Sequence, residues 1–128
     1  MEFNQQVSDH ADSVTDISFD FYGRRFASCS SDNTIKVWSR VTNTDEWEPQ
    51  SIERAHTKGI NRLSWAHPEY GQVIASCSDD KTVKVFEEQE KITGNGNRRW
   101  VQKAEIKDSK SSVNDVKFAP KVILFMKF

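Results

Sequence analysis

"FASCSSDNTIKVWS", residues 26–39, returns 48 positions later as "IASCSDDKTVKVFE", residues 74–87. Extending the match outward lays "HADSVTDISFDFYGRRFASCSSDNTIKVW" (His10 to Trp38) over "HTKGINRLSWAHPEYGQVIASCSDDKTVKVF" (His56 to Phe86). His10 to His56 and Phe19 to Trp65 are both 46 positions, and Trp38 to Phe86 is 48, so two residues are inserted around Ala66 to Gly71. Repeats of this period are the signature of solenoids and propellers.

Within each copy, short runs rich in β-branched and aromatic residues alternate with Gly, Asn, Asp and Ser clusters. That pattern predicts short antiparallel strands joined by tight turns. "SSDNT" (Ser30 to Thr34) and "SDDKT" (Ser78 to Thr82) fall where a hairpin must reverse, and Asp and Asn suit such turns because their side chains bond nearby backbone. A fourth strand is expected at Trp47 to Arg54 in the first copy and Trp100 to Ile106 in the second. The expected fold class is all-β: two full four-stranded propeller blades plus the start of a third, forming an incomplete ring. The expected boundaries are an N-terminal segment 1–9, a first blade 10–55, a second blade 56–107, the start of a third 108–121, and a divergent apolar tail 122–128.

Composition narrows the function classes. With 18 basic and 19 acidic residues the net charge is −1, which lacks the basic footprint that drives direct nucleic-acid binding. The longest apolar run, Val122 to Met126, is too short to cross a bilayer, and the N-terminus carries no basic flank before an apolar run, so neither membrane insertion nor secretion is expected. Cys29 and Cys77 occupy equivalent positions between serines, which suits two reduced, buried thiols.

The order His, alternating strand, Ala-Ser-x-Ser-x-Asp, Val-Trp resembles the WD repeat, the four-stranded blade of β-propellers. In that family a His, a Ser, an Asp and a Trp form a hydrogen-bonded tetrad. The resemblance implies His10, Ser28, Asp32 and Trp38 for the first blade and His56, Ser76 and Asp80 for the second, where Phe86 replaces the Trp. "ISFDFYGRRFASCSSD" (Ile17 to Asp32), "WAHPEYGQVIASCSDD" (Trp65 to Asp80) and "SSVNDVKFAPK" (Ser111 to Lys121) are similar to the Seh-type WD-repeat nucleoporins, with the Sec-type vesicle-coat propellers as near relatives. That likeness implies an open six-bladed propeller completed by a strand set from a partner scaffold protein. It implies service in the Y-shaped nuclear pore subcomplex and in the coat-like complex that relays amino-acid status at the lysosome or vacuole. A third unit begins at Val113, Val116 and Phe118, but no third Ala-Ser-Cys-Ser-x-Asp follows before "VILFMKF", so a C-terminally truncated form is expected.

Other residue patterns read as architecture. His10 and His56 recur at the repeat period, neither cysteine has a second thiol at short spacing, and no metal site is expected. Ser, His and Asp formally supply a catalytic triad, but no Gly-x-Ser-x-Gly elbow is present and the trio repeats with the architecture. "GNGN" (94–97) lacks the spacing of a phosphate loop. "GRR" (Gly23 to Arg25) and "NRRW" (Asn97 to Trp100), offset by "EEQE" (Glu87 to Glu90), read as a solvated rim. Trp47 and Trp100 are candidate interface anchors, but the favoured reading packs each on its own blade's outer strand. The expected function is that of a non-enzymatic, cofactor-free scaffold binding protein subunits at the nuclear envelope, with the lysosomal or vacuolar surface or the cytoplasm as further locations. The rival readings are a Sec-type coat or generic WD adaptor, a truncated product without function, and a propeller hydrolase.

Overall fold

Asn33 and Lys81 sit at equivalent places in the two hairpin turns, with φ of 72° and 71°. This left-handed geometry reverses the chain, and the Asn33 and Lys81 amides donate to the carbonyls of Ser30 and Ser78 at 3.3 Å. The computed structural model describes residues 10–41, 44–90, 98–107, 111, 113, 115–118 and 124–127. β1 (Val14–Phe19), β2 (Arg25–Ser30), β3 (Ile35–Arg40) and β4 (Trp47–Ile52) form one antiparallel sheet in chain order. β5 (Ile60–Trp65), β6 (Val73–Ser78), β7 (Val83–Glu90) and β8 (Arg98–Ile106) repeat it. The eighth strand begins two residues earlier than expected, because Gln89 and Glu90 pair with Arg99 and Arg98. The two-residue insertion forms a 3-10 helix, Pro68–Tyr70, whose first turn is capped by the His67 imidazole accepting from the Glu69 amide.

β9 (Asp115–Phe118) and β10 (Leu124–Lys127) make a two-stranded antiparallel sheet, with Leu124 opposite Phe118 and Lys127 opposite Asp115. The tail strand thereby occupies the place that β2 takes beside β1, where Phe26 lies opposite Phe19. The sequence "GNGN" lies outside the described residues.

The sheets stack face to face in chain order. Ala27, Cys29, Ile35 and Val37 from the first meet Ile60, Leu63, Trp65, Ile74 and Phe86 from the second in one buried cluster. Ala75, Cys77 and Val83 from the second meet Val113 and Val116 near β9 in another. One face of each sheet is therefore built of small residues and receives the bulkier face of the next, as interdigitating sheets require.

Hydrogen bonds between sheets concentrate on the first strands. β1 and β5 each carry a register irregularity, between Val14 and Asp16 and between Ile60 and Arg62. Thr15 and Asn61 lie at those irregularities, and each reaches forward. Thr15 Oγ1 donates to the Ile60 carbonyl and Asn61 Nδ2 to the Val113 carbonyl at 2.9 Å. A bulge re-aims a side chain out of its own ladder, which frees it to bond a neighbouring sheet.

Candidate functional site

In the first sheet four side chains form a directional chain. Trp38 Nε1–H donates to Ser28 Oγ at 3.1 Å. Ser28 Oγ lies 2.8 Å from His10 Nε2, and His10 Nδ1 lies 3.2 Å from Asp32 Oδ2. The ionised Asp32 carboxylate only accepts, so the neutral imidazole carries its proton on Nδ1, facing it, and Ser28, which receives the indole proton, donates its own to Nε2. Asp32 also accepts from the Ala11 amide at 2.7 Å and from the Thr34 amide at 3.0 Å. The second sheet repeats the arrangement. His56 Nε2 is 2.7 Å from Ser76 Oγ and Nδ1 is 2.9 Å from Asp80 Oδ2. Phe86 lies opposite Ile74, the register position Trp38 holds against Phe26, and a phenyl ring has no donor to give.

Sequence reading missed one member of each chain. Thr34 Oγ1 and Thr82 Oγ1 donate to Asp32 and Asp80 and approach His10 Nδ1 and His56 Nδ1 at 2.9 and 3.1 Å. The signal was present: both turns read Ser-x-Asp-x-Thr, with the threonine at the same place.

Burial and bonding set the charge states. Burial lowers the pKa of His10 and His56 below the ordinary 6.5, outweighing the neighbouring carboxylates Asp32 and Asp80, which pull the other way. Burial pushes the Asp80 carboxyl up, but the hydrogen bond from Thr82, the neighbouring His56 imidazole and the Thr57 amide hold it at about 2. Asp32 is lowered too, as bonds from Thr34 and Ala11 overcome its burial. A neutral, fully bonded imidazole with an ionised carboxylate in a turn holds strands together and has no free lone pair to act as a base. Burial pushes both the Cys29 and Cys77 thiols up to about 12. Among the described residues no three metal-ligating side chains cluster, and no helix is long and apolar enough to cross a membrane.

The basic cluster at residues 23–25 departs from expectation. Arg25 is not a solvated rim residue. Its guanidinium bonds both oxygens of Glu88 at 3.0 and 2.7 Å and Gln72 Oε1 at 3.2 Å. The Arg25 and Glu88 side chains are only 17% and 4% exposed. The guanidinium lies 5.8 Å from the Trp65 ring centre and 5.6 Å from that of Trp100. An ion pair this sheltered joins the first sheet to the second and stacks on two aromatic faces. Trp47 and Trp100 are likewise half-buried rather than exposed. Trp100 packs edge-on against Trp65 and Trp47 against Phe26, at 5.7 and 4.9 Å. Sequence alone does not reveal the Arg25 contacts because they depend on how far the sheets lean over one another.

The two sheets differ most on one face. Leu63 and Trp65 in β5 are 5% and 9% exposed, whereas their equivalents in β1, Ile17 and Phe19, are 37% and 39% exposed. Leu63 and Trp65 lie against the first sheet. The matching face of the first sheet presents its apolar side chains to solvent, and with Phe21 and Tyr22 they are all the exposed large hydrophobic residues among those described.

The chain matches the family model of the WD domain, G-beta repeat, over residues 1–39 and 47–87. It is 51% identical to nucleoporin seh1 of Drosophila melanogaster over 121 residues, 91% of this chain and 34% of that protein. It is 47% identical to nucleoporin SEH1 of Xenopus tropicalis and 45% identical to nucleoporin SEH1 of Homo sapiens, each over 90% of this chain and 32% of the relative. The chain thus spans about a third of the length of the curated relatives it matches.

Proposed function

This chain belongs to the WD domain, G-beta repeat family, and from that premise we propose that it is a non-enzymatic scaffold unit of the nuclear pore that binds other proteins through its sheet faces. The observation that carries the reading is the exposure of Ile17 and Phe19 where Leu63 and Trp65 are covered. A solvent-facing apolar sheet face, rimmed by polar loops, is the kind of surface that marks a protein interaction site. Its occupant in this reading is a sheet supplied by a scaffold subunit, packed as the first sheet packs on the second. The names of the similar proteins, all nucleoporins, support the nuclear envelope as its location. The outer-ring Y-shaped complex is the finer assignment, with the amino-acid-signalling coat complex as a second assembly of the same kind.

The test is recovery of pore scaffold subunits with the tagged 128-residue chain, compared with an Ile17→Glu, Phe19→Glu double variant whose folding is first verified by circular dichroism. The expected result is recovery with the parent chain, together with a fluorescent rim at the nuclear envelope, and loss of both in the variant. Equal recovery from a folded variant places binding elsewhere, and no recovery with either overturns the reading.

A further inference from the structure

The seat that Arg25 fills on the second sheet has a counterpart on the first, with its charge inverted. On the second sheet the seat consists of Glu88 and Gln72 between the rings of Trp65 and Trp100, with Glu88 paired across the ladder to Trp100. Counting back 48 positions, Glu88 corresponds to Arg40 and Gln72 to Arg24; Trp65 corresponds to Phe19, 46 positions back, and Trp100 to Trp47 as the tryptophan of each fourth strand. The ladder bears out the correspondence: Arg40 pairs with Trp47 as Glu88 pairs with Trp100. The aromatic walls are thus retained while the acid and the amide are both replaced by arginine.

Resting on the reading that a scaffold subunit's sheet docks on this face, we infer that this sheet carries a carboxylate at the start of its second strand, where this chain carries Arg25. Arg24 and Arg40 are the groups that would receive it. Arg40 is 57% exposed, and among the described residues its side chain meets the Thr44 carbonyl at 3.2 Å and Asp45, itself fully exposed, at 3.3 Å. Arg24 lies 5.8 Å from the Tyr22 ring centre at the exposed turn. Exposed contacts of this kind hold an arginine weakly, so both remain available to an incoming anion. Arginine on an aromatic surface is a frequent anchor of protein interfaces, and its planar donors match a carboxylate in two-pronged fashion. The rest of the partner follows from the seam already present. Its second and third strands present small side chains, as Ala27, Cys29 and Val37 do toward the second sheet. A second copy of this chain is a poor occupant, because its residues at the corresponding position are Arg25 and Val73. Arg25 would meet like charge and Val73 would leave the arginines without an anion.

The test adds a sheet of known sequence. A second copy of residues 10–55 is inserted between residues 9 and 10 of the full chain, either unaltered or with Arg25→Glu in the added copy. Each is combined with the resident Arg40 or with Arg40→Glu. Amide exchange of resident Val14–Phe19 is the readout. With resident Arg40, the Arg25→Glu copy is expected to protect these amides about tenfold more than the unaltered copy, within the usual coupling of contacting residues. Arg40→Glu is expected to reverse the order. Equal protection by both copies overturns the charge rule while leaving sheet docking intact. Absence of added protection from any copy, relative to the parent chain, overturns both.

Discussion

Trp38 Nε1 donates to Ser28 Oγ at 3.1 Å, so Ser28 stands between an indole and an imidazole, while its counterpart Ser76 bonds the His56 imidazole at 2.7 Å beside the phenyl ring of Phe86. Removing Ser28 therefore strands two partners and removing Ser76 strands one. Ser28→Ala is expected to destabilise the protein by about 1 kcal/mol more than Ser76→Ala, the net value of one buried hydrogen bond. Urea unfolding of the two variants and the parent measures the difference, and equal losses would contradict the inequality.

The turn residues give a stabilising substitution. Asn33 and Lys81 adopt the same left-handed backbone, which asparagine visits readily and lysine only at a cost. Lys81→Asn is expected to raise stability by about 0.5 kcal/mol. A melting temperature unchanged or lowered in the variant would show that Lys81 has compensating contacts in the turn.

The imidazoles and carboxylates impose a pH dependence of one sign. His10 and His56 are held below the ordinary value of 6.5 in the folded chain, so the unfolded chain binds protons that the folded one refuses. Their contribution is complete above the unfolded value and is lost as pH falls through 6.5 toward the lowered folded value. Asp80, held at about 2 against an ordinary 3.8, adds a second loss in the same direction as pH falls from 3.8 to about 2. Denaturant midpoints measured from pH 8 to about pH 2 are expected to decline on acidification in these two windows. A maximum near pH 5 would mean that the histidines gain protons on folding.

Both thiols are silent in the native state. Cys29 and Cys77 are fully buried and their pKa values are pushed up to about 12, so neither supplies thiolate at neutral pH. A colorimetric thiol reagent is expected to modify neither under native conditions and both in denaturant. Rapid native labelling of one cysteine would reveal local opening of β2 or β6.

The fold and the polar networks were legible for different reasons. Strand placement followed from alternation and from the turn clusters, because both signals are local and appear twice. His10, Ser28, Asp32 and Trp38 could be assigned from family resemblance, and the structure links them in the order Trp38, Ser28, His10, Asp32. Arg25 was misread as a solvated group because its partners lie 47 and 63 positions away, and no local pattern encodes a contact across two sheets. Trp47 and Trp100, for which packing on their own blades is the favoured expectation, each meet a ring of the same sheet, Phe26 or Trp65. The threonines were visible in both copies but read as turn residues, since backbone bonding in the turn already accounts for their position.

The forward-reaching side chains of Thr15 and Asn61 make the stack resemble a folding fan. The rivet is the row of first strands, where one leaf is tied to the next, and the leaves spread away from it. A change in angle is therefore resisted at the pivot and at the Arg25–Glu88 pair farther out, while the ribs are free to differ in length. The second leaf uses that freedom: β7 and β8 run to 8 and 9 residues, against 6 each for β3 and β4. Insertions at the outer margin thus sit away from the pivot, whereas a substitution at Thr15 or Asn61 removes a tie at the one joint that residue spans.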